Sequence, residues 1–274
     1  MAGARPDPPA PAGARRAALV SSMTWVLLRG LMREQRHWGS FTSQFAQAHP
    51  HERIITLDFA GNGVLYQQAS ATSIGAMVEQ ARQQVRQQLQ PQLEQQPAHG
   101  KIKLLAISLG AMVAVAWAER YPDELQRLIL INTSLAPHNP FYQRLRPANY
   151  PAIISTMLTG SQRQREQLIL RLTSHQSDTA HAERLLNDWV SFAQQYPISR
   201  RNILRQLFAA MRYRAPAQAP QVPLLLAGAK DALVNPQCSA TLATRWQAEL
   251  RLHPDAGHDL PLDDPDWVIR QTLG

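Results

Sequence analysis

The chain has 274 residues, with 28 Lys and Arg against 20 Asp and Glu, a formal net charge of +8. A hydrophobic fraction of 45% against 18% charged excludes disorder throughout, and no apolar run is long enough to span a bilayer. The single cysteine, Cys238, excludes an internal disulfide framework and fits a reducing, cytoplasmic compartment. The basic balance leaves nucleic acid, an acidic membrane or an anionic substrate as candidate partners.

Residues 1–22, rich in Ala, Pro, Gly and Arg, show no apolar periodicity and read as a disordered leader, with Met23 as an alternative start. Arg15-Arg16 resembles an export signal only faintly, because the stretch runs into an apolar strand without a cleavage site. From Thr24 the pattern becomes regular. Apolar runs occur at Trp25–Leu28, Arg53–Leu57, Ile102–Ile107, Leu128–Ile131, Pro223–Ala227 and Leu250–Leu252, stopped by Gly, Pro, Asp or Asn. Short runs apolar throughout are the pattern of parallel strands buried on both faces. Helical patterns lie between them at Trp38–Ala48, Ser73 to about Leu93, Leu109–Tyr121 and Pro236–Ala248. In the second of these, Met77, Ala81, Val85 and Leu89 form a narrow stripe at helical spacing. Strand alternating with helix predicts an α/β fold, a mostly parallel sheet of six to eight strands with helices on both faces. Residues 135–215 carry no strand-like run and predict an all-helical insertion, dividing a core of 23–134 and 216–274.

The third run ends in Ala106-Ile107-Ser108-Leu109-Gly110 and passes directly into an apolar helix. A serine at so sharp a strand-to-helix turn is held strained, with its hydroxyl out of the sheet. The flanking small residues are required because strand and helix crowd together there. The helix start places backbone N–H groups where an oxyanion would form.

On these features the chain resembles the α/β-hydrolase superfamily from about residue 24 to the C-terminus. Arg29-Gly30 stands where that family usually has His-Gly, Asp58-Phe59-Ala60-Gly61-Asn62-Gly63 matches its Asp-x-x-Gly-x-Gly loop, and Ala106–Gly110 matches its nucleophile elbow. In the family an acid follows the penultimate strand and a histidine the last. Asp231 and His258 occupy those places, in the order Ser, Asp, His. The resemblance thus implies Ser108, His258 and Asp231 as nucleophile, base and orienting acid, because serine is a poor nucleophile until an oriented base takes its proton. Asp255, Asp259 and Asp263 lie too near the histidine to follow a separate strand, and His253, at the end of the last strand, reads as structural. The oxyanion donors are the N–H of Leu109 and, by resemblance, that of Leu31. Serine at the elbow argues against the aspartate-based dehalogenase and epoxide-hydrolase chemistries and leaves ester or thioester, amide and carbon–carbon bond hydrolysis. No metal-ligand spacing and no phosphate-binding glycine loop occurs, so no cofactor is expected.

The insertion at 135–215 falls where that family places a cap. It holds eleven arginines, no lysine and four acids, and so carries nearly all the net charge. Arginine's planar fork suits carboxylates and phosphates. Arg144 and Arg146 are therefore candidates for substrate binding, as is Arg29 beside the site, with packing against the Asp58 loop as its alternative role. The expected substrate is a small-molecule ester or thioester, with an acidic acyl carrier as a further partner, as for a carrier-protein methyl esterase with a related cap. A solvated arginine-rich surface, and a non-catalytic scaffold on the same fold, are the alternatives. Nucleic acid fits less well, since no recognised nucleic-acid motif accompanies the charge.

Overall fold

A computed structural model describes residues 23–93, 101–175 and 179–273. The leader expected at 1–22 lies outside these. Strands β1 (Thr24–Leu28), β2 (Arg53–Leu57), β3 (Ile102–Ile107), β4 (Leu125–Ile131), β5 (Leu224–Gly228) and β6 (Leu250–His253) form one sheet in the order β2-β1-β3-β4-β5-β6. All neighbouring pairs are parallel. The α-helices are α1 (Phe41–Ala48), α2 (Ile74–Leu93), α3 (Leu109–Arg120), α4 (Phe141–Arg144), α5 (Tyr150–Thr159), α6 (Gln162–Thr173), α7 (Thr179–Gln195), α8 (Arg200–Arg212), α9 (Gln237–Trp246), α10 (Leu260–Asp263) and α11 (Pro265–Thr272).

The strands are predominantly apolar because both faces of the sheet are covered. Val26, Leu28, Leu104, Ala106, Leu128 and Leu130 join one core with α2, α3 and α9. Their neighbours Trp25, Leu27, Leu105, Ile107, Ile129 and Ile131 join a second core with α1 and α11. This alternation is the two-residue period of a strand. The α2 stripe of Met77, Ala81, Val85 and Leu89 is buried in the first core.

Helices α4 to α8 all lie between β4 and β5, and no strand occurs there among the described residues. Two departures from the sequence pattern have local causes. The helix expected from Trp38 starts at Phe41, because Gly39 at φ +54° closes a 3-10 turn over Gln35–Trp38. The two short C-terminal helices, α10 and α11, were too brief for periodicity to reveal. Each has a proline in its first turn, and Asp264 caps α11 by accepting the Trp267 N–H at 2.8 Å. Among the described residues, no helix is long and apolar enough to cross a membrane.

Candidate active site

Parallel strands bring their C-terminal ends to one edge of the sheet, and β3, β5 and β6 deliver Ser108, Asp231 and His258 there. Ser108 follows β3 with φ +55° and ψ −115°, a conformation strained for a residue with a Cβ. Its N–H donates to the Ile131 carbonyl of β4 at 3.1 Å. Gly110 is required by crowding, since a Cβ there would sit 2.5 Å from the Leu28 carbonyl oxygen. Ser108 itself is half-buried, and among the described residues its hydroxyl has no hydrogen-bond partner.

The acid and the histidine meet. Asp231 Oδ2 lies 2.6 Å from His258 Nδ1, with the two side chains 1% and 6% exposed. Asp231 Oδ1 accepts the Leu233 and Val234 N–H groups, each at 2.8 Å, so the carboxylate is held by its own turn. Cys238 is buried nearby on α9, and burial pushes its thiol up to about 12, leaving it unreactive.

Sequence reasoning missed Asn132, which follows β4 at φ +46°. Its Nδ2 donates to the Gly257 carbonyl at 3.0 Å and the His258 carbonyl at 2.7 Å, while its Oδ1 accepts the Gly228 N–H at 2.9 Å. One side chain thus fastens the histidine loop to the end of the acid strand. The available signal was an Asn at a strand end, a residue type that tolerates the left-handed region. Asp263 braces the same loop by accepting the Gly257 N–H at 2.7 Å, and burial raises its pKa. His253 sits at the end of β6, 3.1 Å from Asp264.

The segment Arg29–Arg33 follows β1 and abuts the elbow: a Cβ at Gly30 would lie 3.2 Å from Ser108 Cβ. The N–H groups of Leu31 and Leu109 have no acceptor among the described residues. Arg29, read from the sequence as a substrate-binding cation or as packing on the Asp58 loop, is instead committed to Asp259. The pair is bidentate at 2.5 and 3.0 Å, buried, and the guanidinium carbon lies 4.7 Å from the Trp38 ring centroid. Asp259 is the residue after His258, so this pair ties the loop after β1 to the histidine loop. Asp58 organises the neighbouring turn, accepting the Gln35 N–H at 2.7 Å and the Val64 N–H at 3.1 Å. Burial raises its pKa, and Gly63 at φ +51° leaves the room its carboxylate occupies.

The helical segment docks on these loops through polar and cationic contacts. Arg33 pairs with Glu166 of α6 at 2.7 Å and stacks over Trp189 of α7 at 4.4 Å. Arg36 lies over Phe192 and Tyr196. Asn202 and Gln206, one turn apart on α8, are both buried against the loops that follow β1 and β2. Of the other candidate cations, Arg144 donates to the Ala210 carbonyl of α8 at 3.0 Å. Arg146 is half-buried, its backbone N–H donates to Leu233 in the acid loop at 3.0 Å, and its Nε has no partner among the described residues. Two open cavities, of about 880 and 470 Å³, are lined by α6 and α7 with Lys230 and Asp255, and by the 66–69 loop with the start of α8, and neither is lined by Ser108, Asp231 or His258. Among the described residues no group of His, Cys, Asp and Glu gathers as a metal site.

Solved structures with this architecture include a 2-hydroxy-6-oxo-6-phenylhexa-2,4-dienoate hydrolase from Rhodococcus sp. strain RHA1, 17% identical with a TM-score of 0.71, matching 92% of this chain and 90% of that one. An enol-lactonase from Burkholderia xenovorans LB400 is 16% identical over 92% and 90% of the two chains, with a TM-score of 0.70. A thermophilic esterase from Thermogutta terrifontis is 20% identical over 92% and 88%, with a TM-score of 0.66. At such identities the likeness establishes the fold. No curated protein matches the chain significantly. The sequence profile described as serine aminopeptidase, S33, matches residues 25–265, nearly the whole described chain. The protein therefore belongs to this family of α/β-fold hydrolases.

Proposed function

We propose that this hydrolase cleaves a carboxylic ester or thioester through an acyl-enzyme on Ser108. The observation that carries the reading is the buried 2.6 Å contact between Asp231 and His258, at the same sheet edge as a strained elbow serine. In the reading, Ser108 Oγ attacks the acyl carbon as its proton passes to His258 Nε2. Asp231 holds the ring by Nδ1 and stabilises the imidazolium. The oxyanion is met by the N–H groups of Leu31 and Leu109, both without a protein acceptor among the described residues. Collapse breaks the bond to the alcohol or thiol, which leaves with the proton from His258. Water then adds to the acyl-enzyme with His258 as base, the acid is released, and Ser108 regains its proton.

Residues 135–215 act as the cap in this reading. Helix α5 starts beside the acid loop, where Asn149 donates to the Ala232 carbonyl at 2.8 Å. Its Ile154 and Leu158, with Leu204, Phe208 and Met211 of α8, are exposed apolar side chains that suit an apolar acyl chain. Among Arg29, Arg144 and Arg146, the last is best disposed to meet an anionic group, because Asp259 occupies the first and the Ala210 carbonyl the second. A carboxylate on the substrate or an acidic carrier would both supply that group.

Turnover of p-nitrophenyl acetate and butyrate, with fluorophosphonate labelling, tests the reaction. Turnover and labelling that vanish in Ser108→Ala are expected, and a folded wild type that does neither contradicts it. An anionic ester should be preferred over a neutral one, with the preference fading as salt rises and in Arg146→Gln. A preference unchanged in Arg146→Gln would remove Arg146 from substrate binding.

A further inference from the structure

We propose that Gln206 is a positioning residue for the oxyanion loop, so that α8 sets the orientation of the Leu31 backbone donor. The proposal rests on the ester-hydrolase reading above.

Gln206 is 0% exposed, on a helix otherwise rich in arginine. Its Oε1 accepts the Met32 N–H at 3.2 Å, and its Nε2 donates to Asn62 Oδ1 at 2.8 Å and Ser70 Oγ at 3.1 Å. Asn62 Nδ2 in turn donates to the Arg33 carbonyl at 3.0 Å. The N–H of Met32 and the carbonyl of Arg33 are therefore both gripped, directly or through Asn62, by one side chain on α8. These groups immediately follow Leu31.

The loop requires such a grip. Met32 has φ +60°, in the left-handed region that strains a residue with a Cβ. Arg29–Asp259 fixes the loop at its start and the Arg33 N–H closes the turn on the Gly30 carbonyl at 3.3 Å, leaving the Met32 N–H, which points out of that turn, to be held by α8. A primary amide fits this position because it accepts one hydrogen bond and donates two from a single planar group. Leucine offers neither, and a carboxylate keeps the acceptor but loses both donors. Asn202, one turn earlier on the same buried face, stays on the 66–70 loop: it accepts the Ser70 N–H at 2.9 Å and donates to the Gln68 carbonyl at 2.9 Å. Both amides reach Ser70, but of the two only Gln206 also reaches the oxyanion loop.

The test uses the full-length wild type with Gln206→Leu and Gln206→Glu, read by steady-state kinetics on p-nitrophenyl butyrate and by hydrogen exchange at the Met32 amide. Gln206→Leu should lower kcat between ten- and a hundredfold with KM changed less than twofold, a fraction of the 10²–10³-fold loss seen when an oxyanion donor is removed outright. Gln206→Glu, which retains the acceptor, should recover part of that loss. Exchange at Met32 should quicken at least tenfold in Gln206→Leu while amides of β3 keep their protection. A Gln206→Leu enzyme with kcat within twofold of wild type, or a loss confined to KM, overturns the proposal. So does a Met32 amide that exchanges freely in the wild type, a measurement that needs no variant to fold. If the wild type itself neither turns over nor labels, the hydrolase reading fails, and the exchange comparison alone decides whether Gln206 holds the loop.

Discussion

The sheet and the helical segment between β4 and β5 are built by different forces, and they meet at the same edge. The sheet is held by apolar burial: Trp25, Leu27, Leu105 and Ile129 are all 0% exposed. Such burial is non-directional and tolerates little water or charge. The helical segment docks through directional contacts, including Arg33–Glu166, Arg36 over Phe192, and Asn202 and Gln206 on backbone groups. Its apolar cluster of Leu170, Leu186 and Trp189 is small by comparison. The difference separates two tasks. In the proposed mechanism the sheet edge carries the reactive side chains, and the helical segment fixes the backbone that faces them.

The largest effects on activity are expected at the sheet edge. Ser108→Ala should abolish ester turnover, by a factor on the order of 10⁵, with the melting temperature unchanged. Asp231→Asn should lower kcat by about 10³–10⁴-fold, because the ring at His258 loses its orienting carboxylate. A change inside the sheet should do the reverse. Leu105→Ala should cost about 3 kcal/mol in denaturant unfolding and leave kcat intact at 25 °C. Loss of activity in Leu105→Ala at full folding would mean that sheet and site are not separable in this way.

The junction between the two regions should be sensitive to acid. His37 is buried with its ring edge-on to Trp189 at 5.4 Å, and burial, reinforced by Arg33 and Arg29, holds its pKa well below 6.5. The native state therefore keeps His37 neutral where the unfolded chain protonates it. Stability is full above about pH 6.5 and falls below it by up to about 1.4 kcal/mol per unit, until the depressed native value is reached. His37→Asn should flatten the fall of the urea midpoint between pH 7 and 5, and an unchanged slope would assign it to other groups. The smallest effect is at the rim. Arg36→Ala should cost about 1 kcal/mol, since its stacking on Phe192 and Tyr196 is partly exposed.

How much of this was legible in the sequence follows the range of each constraint. β2 and β3 begin and end where their runs do, because Asp58 and the elbow serine stop them and only Arg53, Thr56 and Lys103 interrupt the apolar residues within them. β4 starts at Leu125, earlier than its run suggested, because Gln126 and Arg127 are polar and Arg127 reaches the Thr272 carbonyl at 2.6 Å. The elbow was legible because strand, serine and glycine are contiguous, and Gly110 faces the Leu28 carbonyl as that crowding demands. Arg29 was not, because its partner Asp259 lies 230 residues away and belongs to a loop whose acids were weighed only as rivals of Asp231. Gln206 was hidden for the same reason: periodicity marks an apolar face, and a buried amide on an arginine-rich helix carries no periodic signal. The net charge of +8 is sharpened too. Of the arginines that supply it, Arg205 docks the helical segment on the Ser70 carbonyl at 2.6 Å, while Arg144 and Arg163 bond within the segment, to the Ala210 carbonyl and to Glu183.

The site at which a fluorophosphonate reacts is the most direct test of Ser108 as the nucleophile. The full-length protein, labelled and digested, should carry the adduct on the peptide containing Ser108, with labelling lost in Ser108→Ala and slowed at least a hundredfold in His258→Ala. An adduct on another residue, or a folded wild type that takes up no label, would contradict it.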